Sequence, residues 1–207
     1  MKSDFLIECY PEFEKELIFN IETYGILKDF SCGEFIVTQG NYVKYLPIIQ
    51  EGCVKVFSQE DSKDFLLYFI ESGESCIYSF AHLNNNTAAK FSAIAEIDSL
   101  ILLLPIERVK LWIKKYNSLN QIIINNYQKH YDNLLNTTKQ IICYNLEDRL
   151  FDYLRKKSEL SRTSLLNISH KEIALDLGTS REVISRLLKS NKFHGKIKQE
   201  GRRIKIL

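Results

Sequence analysis

The hydrophobic pattern changes period at Pro105, and this constrains the fold more than any other feature. Between Phe30 and Pro105 the apolar residues come in short β-branched and aromatic runs: Phe35–Val37, Leu46–Ile49, Val54–Phe57, Phe65–Ile70, Phe91–Ile97 and Leu100–Leu104. Turn signals separate them, among them Gly33, Gly40-Asn41, Glu51-Gly52 and Ser72-Gly73. Short strands punctuated by turns predict an all-β barrel or sandwich. After Pro105 the spacing becomes helical. Pro105 suits the first turn of a helix over Ile106–Lys115. Asn117 or Ser118 can cap a longer one running to about Cys143, and a third covers Leu146–Ser158. Upstream, Phe13, Leu17, Ile21 and Tyr24 predict an amphipathic helix over Glu12–Lys28. The class is therefore α+β.

Charge divides along the same chain. Residues 1–148 hold 13 Lys and Arg against 20 Asp and Glu, a net of −7. Residues 149–207 hold 15 against 6, a net of +9, and seven of the eight arginines lie there. A basic module joined to an acidic one points to a polyanion partner at one end and another task at the other. The near-neutral total of +2 conceals this.

Other classes are excluded or disfavoured. No run of 18 apolar residues exists, so no membrane span is expected. Met1–Tyr10 carries Asp4 and Glu8 and no apolar run, so no signal peptide is read there, and a cytoplasmic location is expected. Cys9, Cys32, Cys53, Cys76 and Cys143 are scattered, without a C-x-x-C pair, and the four histidines are equally dispersed. Neither a disulfide framework nor a paired-cysteine zinc site is expected. H-E-x-x-H, G-x-S-x-G, Walker and G-x-G-x-x-G motifs are all missing, so no enzyme is expected.

The long helix carries two apolar stripes. Ile123, Tyr127, His130, Leu134, Thr137 and Ile141 alternate spacings of four and three, as a coiled-coil seam does. Ile124, Tyr131, Leu135 and Ile142 form the other. Two buried sides need two neighbours: the chain's own β domain, and a partner's copy of the helix. A core helix of a monomer is the alternative.

The most informative segment is Ile168–Leu207. Ser169 and Glu172 fit a capping box, followed by the apolar set Ile173, Ala174 and Leu177. Gly178 stops that helix, since glycine reaches the left-handed conformation cheaply. A second box, Thr179 to Glu182, opens another helix with Val183, Ile184, Leu187 and Leu188 inside. Two short helices about a glycine turn make a helix-turn-helix. A hairpin follows, Lys196–Lys198, a turn at Gln199–Gly201, then Arg202–Leu207, giving the wing of a winged helix-turn-helix. The start of the second helix enters the major groove in such motifs. That makes Arg181, Glu182, Ser185 and Arg186 the base-reading candidates: arginine donates twice to guanine, and a carboxylate accepts from cytosine N4. Ser169, Thr179, Ser180, Lys189, Arg202 and Arg203 suit phosphates of double-stranded DNA. Bland roles stand beside these: Glu182 as a capping partner only, Ser185 as an inert surface serine, Arg186 paired to a carboxylate.

The run from Ser169 to Leu188 closely resembles the helix-turn-helix of the cyclic-AMP receptor protein and fumarate–nitrate regulator (Crp–Fnr) family of bacterial regulators. Gly201-Arg202-Arg203-Ile204, the pattern Gly33-Glu34, Gly40-Asn41, Gly52, Gly73-Glu74, and Leu104-Pro105 look like that family too. The resemblance implies a β-roll sensor domain (a cyclic-nucleotide-binding-like, double-stranded jelly roll) over residues 1–116. It implies a dimerisation helix over 117–143 and a winged helix-turn-helix over 144–207. It further implies a homodimer on a near-palindromic operator with a G–A step, RNA polymerase as a partner, and a small-molecule effector. The effector region by that likeness includes Glu74, Ser75, Cys76, Tyr78 and Lys90.

The sequence also departs from the family. Its cyclic-nucleotide binders hold the phosphate with a glutamate and an arginine, which align near Tyr78 and near Ala89 or Lys90 here. No arginine lies between Gly73 and Ile97. A buried phosphate without a guanidinium is poorly compensated, so tight cyclic AMP binding is not expected. Cys9 stands alone near the N-terminus, so neither is an iron–sulfur cluster, and no cofactor is identified. Cys76 reads as a small buried hydrophobe in preference to a sensor. The competing functional reading is a small-molecule or redox sensor acting mainly through protein contacts.

Overall fold

The computed structural model describes residues 2–60, 63–83, 87–143, 145–190, 195–200 and 203–207. Within these, the side chains of 2–3, 60, 63–65, 77, 136–143 and 200 lie outside the description. The chain divides into two compact units. One comprises Met1–Ser58 with Leu67–Asn133, the other Gln59–Leu66 with Leu134–Leu207.

The first unit holds α1 (Lys2–Cys9), α2 (Lys15–Tyr24), β1 (Ile26–Phe30), β2 (Phe35–Val37), β3 (Tyr45–Glu51), α3 (Ile77–Ala81), β6 (Ser92–Ala95), β7 (Ser99–Pro105) and α4 (Ile106–Lys115), with the greater part of β4 (Cys53–Glu60), β5 (Lys63–Glu71) and α5 (Asn117–Cys143), whose remaining residues belong to the second. One antiparallel sheet has the order β1-β7-β3 and a second β2-β6-β4-β5. The near-continuous apolar run of β7 has a structural cause. Ile101 and Leu103 point into a core shared with Ile49, Val54, Val56, Ile70, Ala93 and Ala95, between the sheets. Leu102 and Leu104 point the other way, into a core made with Leu17 and Ile21 of α2, Val109 and Trp112 of α4, and Leu119 and Ile122 of α5. A strand buried on both faces has no use for alternation.

The sequence signals place the six predicted strands correctly. They misplace the boundary of the N-terminal helix, expected over Glu12–Lys28. The structure ends α2 at Tyr24 and makes Ile26–Phe30 a strand, because Ile26 to Phe30 register against Leu103 to Ser99. Gly25 makes the exit: a β-carbon there would stand 2.5 Å from the Ile21 carbonyl oxygen and 2.9 Å from Leu102 Cδ1.

The second unit contains α6 (Leu146–Ser161), β8 (Leu165–Leu166), α7 (His170–Asp176), α8 (Arg181–Leu188), β9 (Ile197–Glu200) and β10 (Arg203–Ile206). Its core gathers Leu150, Tyr153 and Leu154 with Leu166, Ile173, Ala174, Ile184, Leu188 and Ile204. The sheet order is β8-β10-β9. Arg203 pairs with Glu200, so Gln199 and Glu200 are strand residues and not part of the turn expected over Gln199–Gly201. The short strand β8 has no periodicity of its own to announce it.

Gly52 is the tightest backbone position in the first unit. Its φ of +96° suits glycine, and an added β-carbon would fall 2.2 Å from Ser99 Oγ and 2.7 Å from Ser99 Cα. Ser99 Oγ is itself held by the Cys53 amide, which donates to it at 3.1 Å. Gly52→Ala therefore meets both strain and a backbone clash. It should lower unfolding stability by more than about 1 kcal/mol, read by thermal or denaturant unfolding.

Candidate nucleic-acid interface

The α7–α8 pair is locked by local chemistry. Ser169 Oγ accepts from the Glu172 amide at 3.1 Å, capping α7. At its other end the Thr179 amide donates to the Ala174 carbonyl at 2.8 Å and the Gly178 amide to the Leu175 carbonyl at 3.2 Å. With Gly178 at φ +66°, this is a Schellman stop. Ser180 then caps α8, accepting from the Val183 amide at 3.3 Å. The cap is thus Ser180 and not Thr179, and Glu182 sits one position short of a box partner. Glu172 likewise does not close the first box; its carboxylate lies 3.6 Å from the buried Lys157 ammonium. Beneath the pair, Tyr153 OH donates to Asp176 Oδ2 at 2.6 Å, and Arg149 donates to the Leu177 carbonyl at 3.2 Å.

What faces outward is basic and donor-rich. Arg181, Glu182 and Arg186 are exposed on α8, and Lys189 and Arg203 are exposed beside it in sequence and on β10. Among the described residues no carboxylate pairs with Arg186. Ser169 and Ser180 are exposed and Thr179 is half-buried. Arg202 lies outside the described residues. The Glu182 carboxyl is held below the usual range by its own backbone amide and then by the Ser180 hydroxyl, so it is ionised and acceptor-only at neutral pH. Ser185 is half-buried, with Oγ 2.8 Å from His170 Nδ1. That histidine carried no signal in the sequence, because its partners Ser185 and Gln199 stand 15 and 29 residues away.

In the first unit the expected effector residues separate. Glu74 is ion-paired to Lys129 and accepts from the Glu71 amide at 3.1 Å. Ser75 is buried and donates to the Pro47 carbonyl at 2.6 Å. Cys76 is fully buried, with its sulfur 3.5 Å from Tyr68 OH, and burial raises the thiol pKa. Tyr78 stacks on Tyr68 and Phe91. Lys90 is exposed, with no polar contact to the other four among the described residues. A half-open cavity of about 210 Å³, lined by Ile36, Tyr42, Tyr45 and Leu103 among others, holds none of the five. No described cluster of His, Cys, Asp or Glu could hold a metal ion.

The six expected seam residues also divide. Ile123 packs on the first unit's core, and His130 is 4% exposed with its ring 4.3 Å from that of Tyr68. Both face the chain's own β domain. Tyr127 and Leu134 are exposed, together with Ile124, Tyr131 and Leu135. The exposed row 124, 127, 131, 134 has the same heptad spacing as the expected one, shifted by a residue at alternate positions. The side chains of Thr137 and Ile141 lie outside the described residues.

Residues 148–207 match the family of Crp-like helix-turn-helix domains, and residues 27–116 match the cyclic nucleotide-binding domain family. The chain belongs to the Crp/Fnr family of transcriptional regulators. Solved structures agree on the fold. A Crp/Fnr-family regulator from Eubacterium rectale superposes with a TM-score of 0.85 at 21% identity, over 96% of this chain and 92% of that one. The c-di-GMP-responsive global regulator CLP of Xanthomonas campestris superposes with a TM-score of 0.76 at 17% identity, over 93% and 99%. A regulator of the family from Thermus thermophilus gives 0.67 at 19%, over 88% and 93%. No curated protein matches the sequence. No helix among the described residues is long and apolar enough to cross a membrane.

In this Crp/Fnr regulator, of the positions aligned above with the charged ligands of the family's nucleotide binders, Tyr78 is a stacked phenol, Ala89 is buried and Lys90 is exposed. Ala89 has its amide engaged by the Asn41 carbonyl at 2.8 Å. Neither Tyr78 nor Ala89 offers a positive charge to an anionic phosphate.

His130 gives the unit a pH signature. The ring is buried, and burial lowers its pKa, opposed by the charge of Glu74 and by the backbone of Ser75. As pH falls through about 6.5, the unfolded chain takes up a proton that the folded one resists, so stability falls. His130→Phe should remove this part of the acid sensitivity while keeping the ring on Tyr68. Melting temperatures of both proteins at pH 7.5 and 5.5 measure it.

Proposed function

We propose that two copies of this regulator associate through the exposed row Ile124, Tyr127, Tyr131 and Leu134 and present two α8 helices to one duplex. Arg181, Glu182, Ser185 and Arg186 read base edges in the major groove. Ser169, Thr179, Ser180, Lys189, Arg202 and Arg203 contact phosphates. The observation that carries this reading is the exposure of three charged side chains on the capped first turns of α8, above a turn held rigid by the Gly178 stop. An isologous pair places the half-sites about one helical turn, about 34 Å, apart on a near-palindrome with a G–A step. The signal reaches the β-roll unit and is not cyclic AMP, since no arginine is available for its phosphate; direct calorimetric titration should show no binding tighter than millimolar. No iron–sulfur cluster is involved. The protein acts in the cytoplasm, has no enzymatic activity, and hands its output to RNA polymerase.

Base-reading and phosphate residues separate experimentally. Arg186→Ala should lose discrimination at one position in each half-site, at a cost of about 1–3 kcal/mol for the preferred base. Arg203→Ala should weaken binding to all sequences alike and reduce the slope of log affinity against log salt by about one for each phosphate left unneutralised. Anisotropy titrations across a salt series on single-base operator variants measure both. An unchanged base profile for Arg186→Ala contradicts the assignment.

A further inference from the structure

We propose that His170 is a positioning residue for base reading. It fixes the Ser185 hydroxyl as a hydrogen-bond donor toward the base, and Gln199 of the wing sets the imidazole tautomer that makes it so. The proposal rests on the reading that Ser185 faces a base edge.

Three elements meet at this imidazole. His170 is the first residue of α7, Ser185 lies within α8 and Gln199 on β9. His170 Nδ1 stands 2.8 Å from Ser185 Oγ, and Nε2 stands 3.4 Å from Gln199 Nε2. Gln199 is placed with its carboxamide nitrogen, which only donates, toward Nε2, and in that orientation Nε2 offers its lone pair. A neutral imidazole with a bare Nε2 carries its proton on Nδ1. That N–H donates to Ser185 Oγ. Burial, then the charges of Arg181 and Lys189, hold the imidazole pKa below its usual range, so the neutral ring is the form present at pH 7.

The consequence falls on the hydroxyl. A serine inside a helix often donates back to the carbonyl one turn earlier, as Ser161 does to Lys157 at 2.7 Å. Ser185 makes no such bond among the described residues. Its oxygen accepts from His170, and its own proton is left to be donated outward. A donor selects guanine O6 or N7, adenine N7 or thymine O4. With the other tautomer Ser185 would donate to Nδ1 and present an acceptor, selecting cytosine N4 or adenine N6 instead. One ring proton therefore chooses between two sets of base edges.

The test joins a spectrum to a mutant cycle, both on the full-length protein. Long-range ¹H–¹⁵N spectra at neutral pH should place the His170 proton on Nδ1; a proton on Nε2 overturns the proposal without touching the reading of Ser185. In operator binding, Ser185→Ala should cost about three- to tenfold of preference at its position. His170→Phe should cost the same, the double variant no more than either alone, and His170→Asn, which restores a donor at the Nδ1 position, should recover most of it. If Ser185→Ala loses the preference and His170→Phe keeps it, the coupling is refuted while base reading stands. If Ser185→Ala keeps it, base reading by Ser185 fails and the proposal with it. Should His170→Phe fail to fold, the wild-type spectrum still decides.

Discussion

The first unit depends on one strand that is buried on both faces. β7 sends Ile101 and Leu103 into the space between two sheets and Leu102 and Leu104 into a layer of helices. Covering the second face requires helices from both ends of the unit, and α2, α4 and the start of α5 supply them. Each buried leucine or isoleucine side chain is worth about 1.5–3 kcal/mol of transfer energy, so the four together outweigh any ion pair on the surface. Once α5 is pinned there by Leu119 and Ile122, its rotation is fixed. His130 must then turn inward against Tyr68, and Ile124, Tyr127 and Tyr131 must turn outward. The apolar row left uncovered is a consequence of how β7 is covered.

The second unit solves a different problem with polar chemistry. Helices of seven and eight residues are too short to persist alone. They are held by serine caps at both N-termini, by the Schellman stop at Gly178, and by Tyr153 and Arg149 of α6 reaching the end of α7. Outside this framework Arg181, Glu182 and Arg186 of α8 stay exposed. Lys157 and Asp176 are buried in this unit, but each is met by an opposite charge or a hydroxyl. In the β-roll Tyr78 stacks on Tyr68 and Phe91, so the first unit packs aromatic rings where the second exposes basic side chains.

Much of this was legible in the chain because local physics dictated it. Gly178, the Ser169 cap and the span Asn117–Cys143 all follow from rules that act within a few residues. The misplacements share a cause, which is dependence on distant partners. Residues 26–28 read as helix because their pairing strand lies some 75 residues on. Stripes 123-127-130-134 and 124-127-131-134 fit a heptad equally well, and only Tyr68 decides that His130 faces inward. β8 exists only because β10 pairs with it. His170 was silent for the same reason.

Selection of bound sites from random double-stranded DNA by the purified full-length protein, at moderate salt, tests the central claim most directly, because it reads symmetry and sequence preference together. The account predicts an enriched near-palindrome whose half-sites are centred about one helical turn apart, each with a G–A step. A pool that shows no enriched motif, or a single half-site without dyad symmetry, would contradict it.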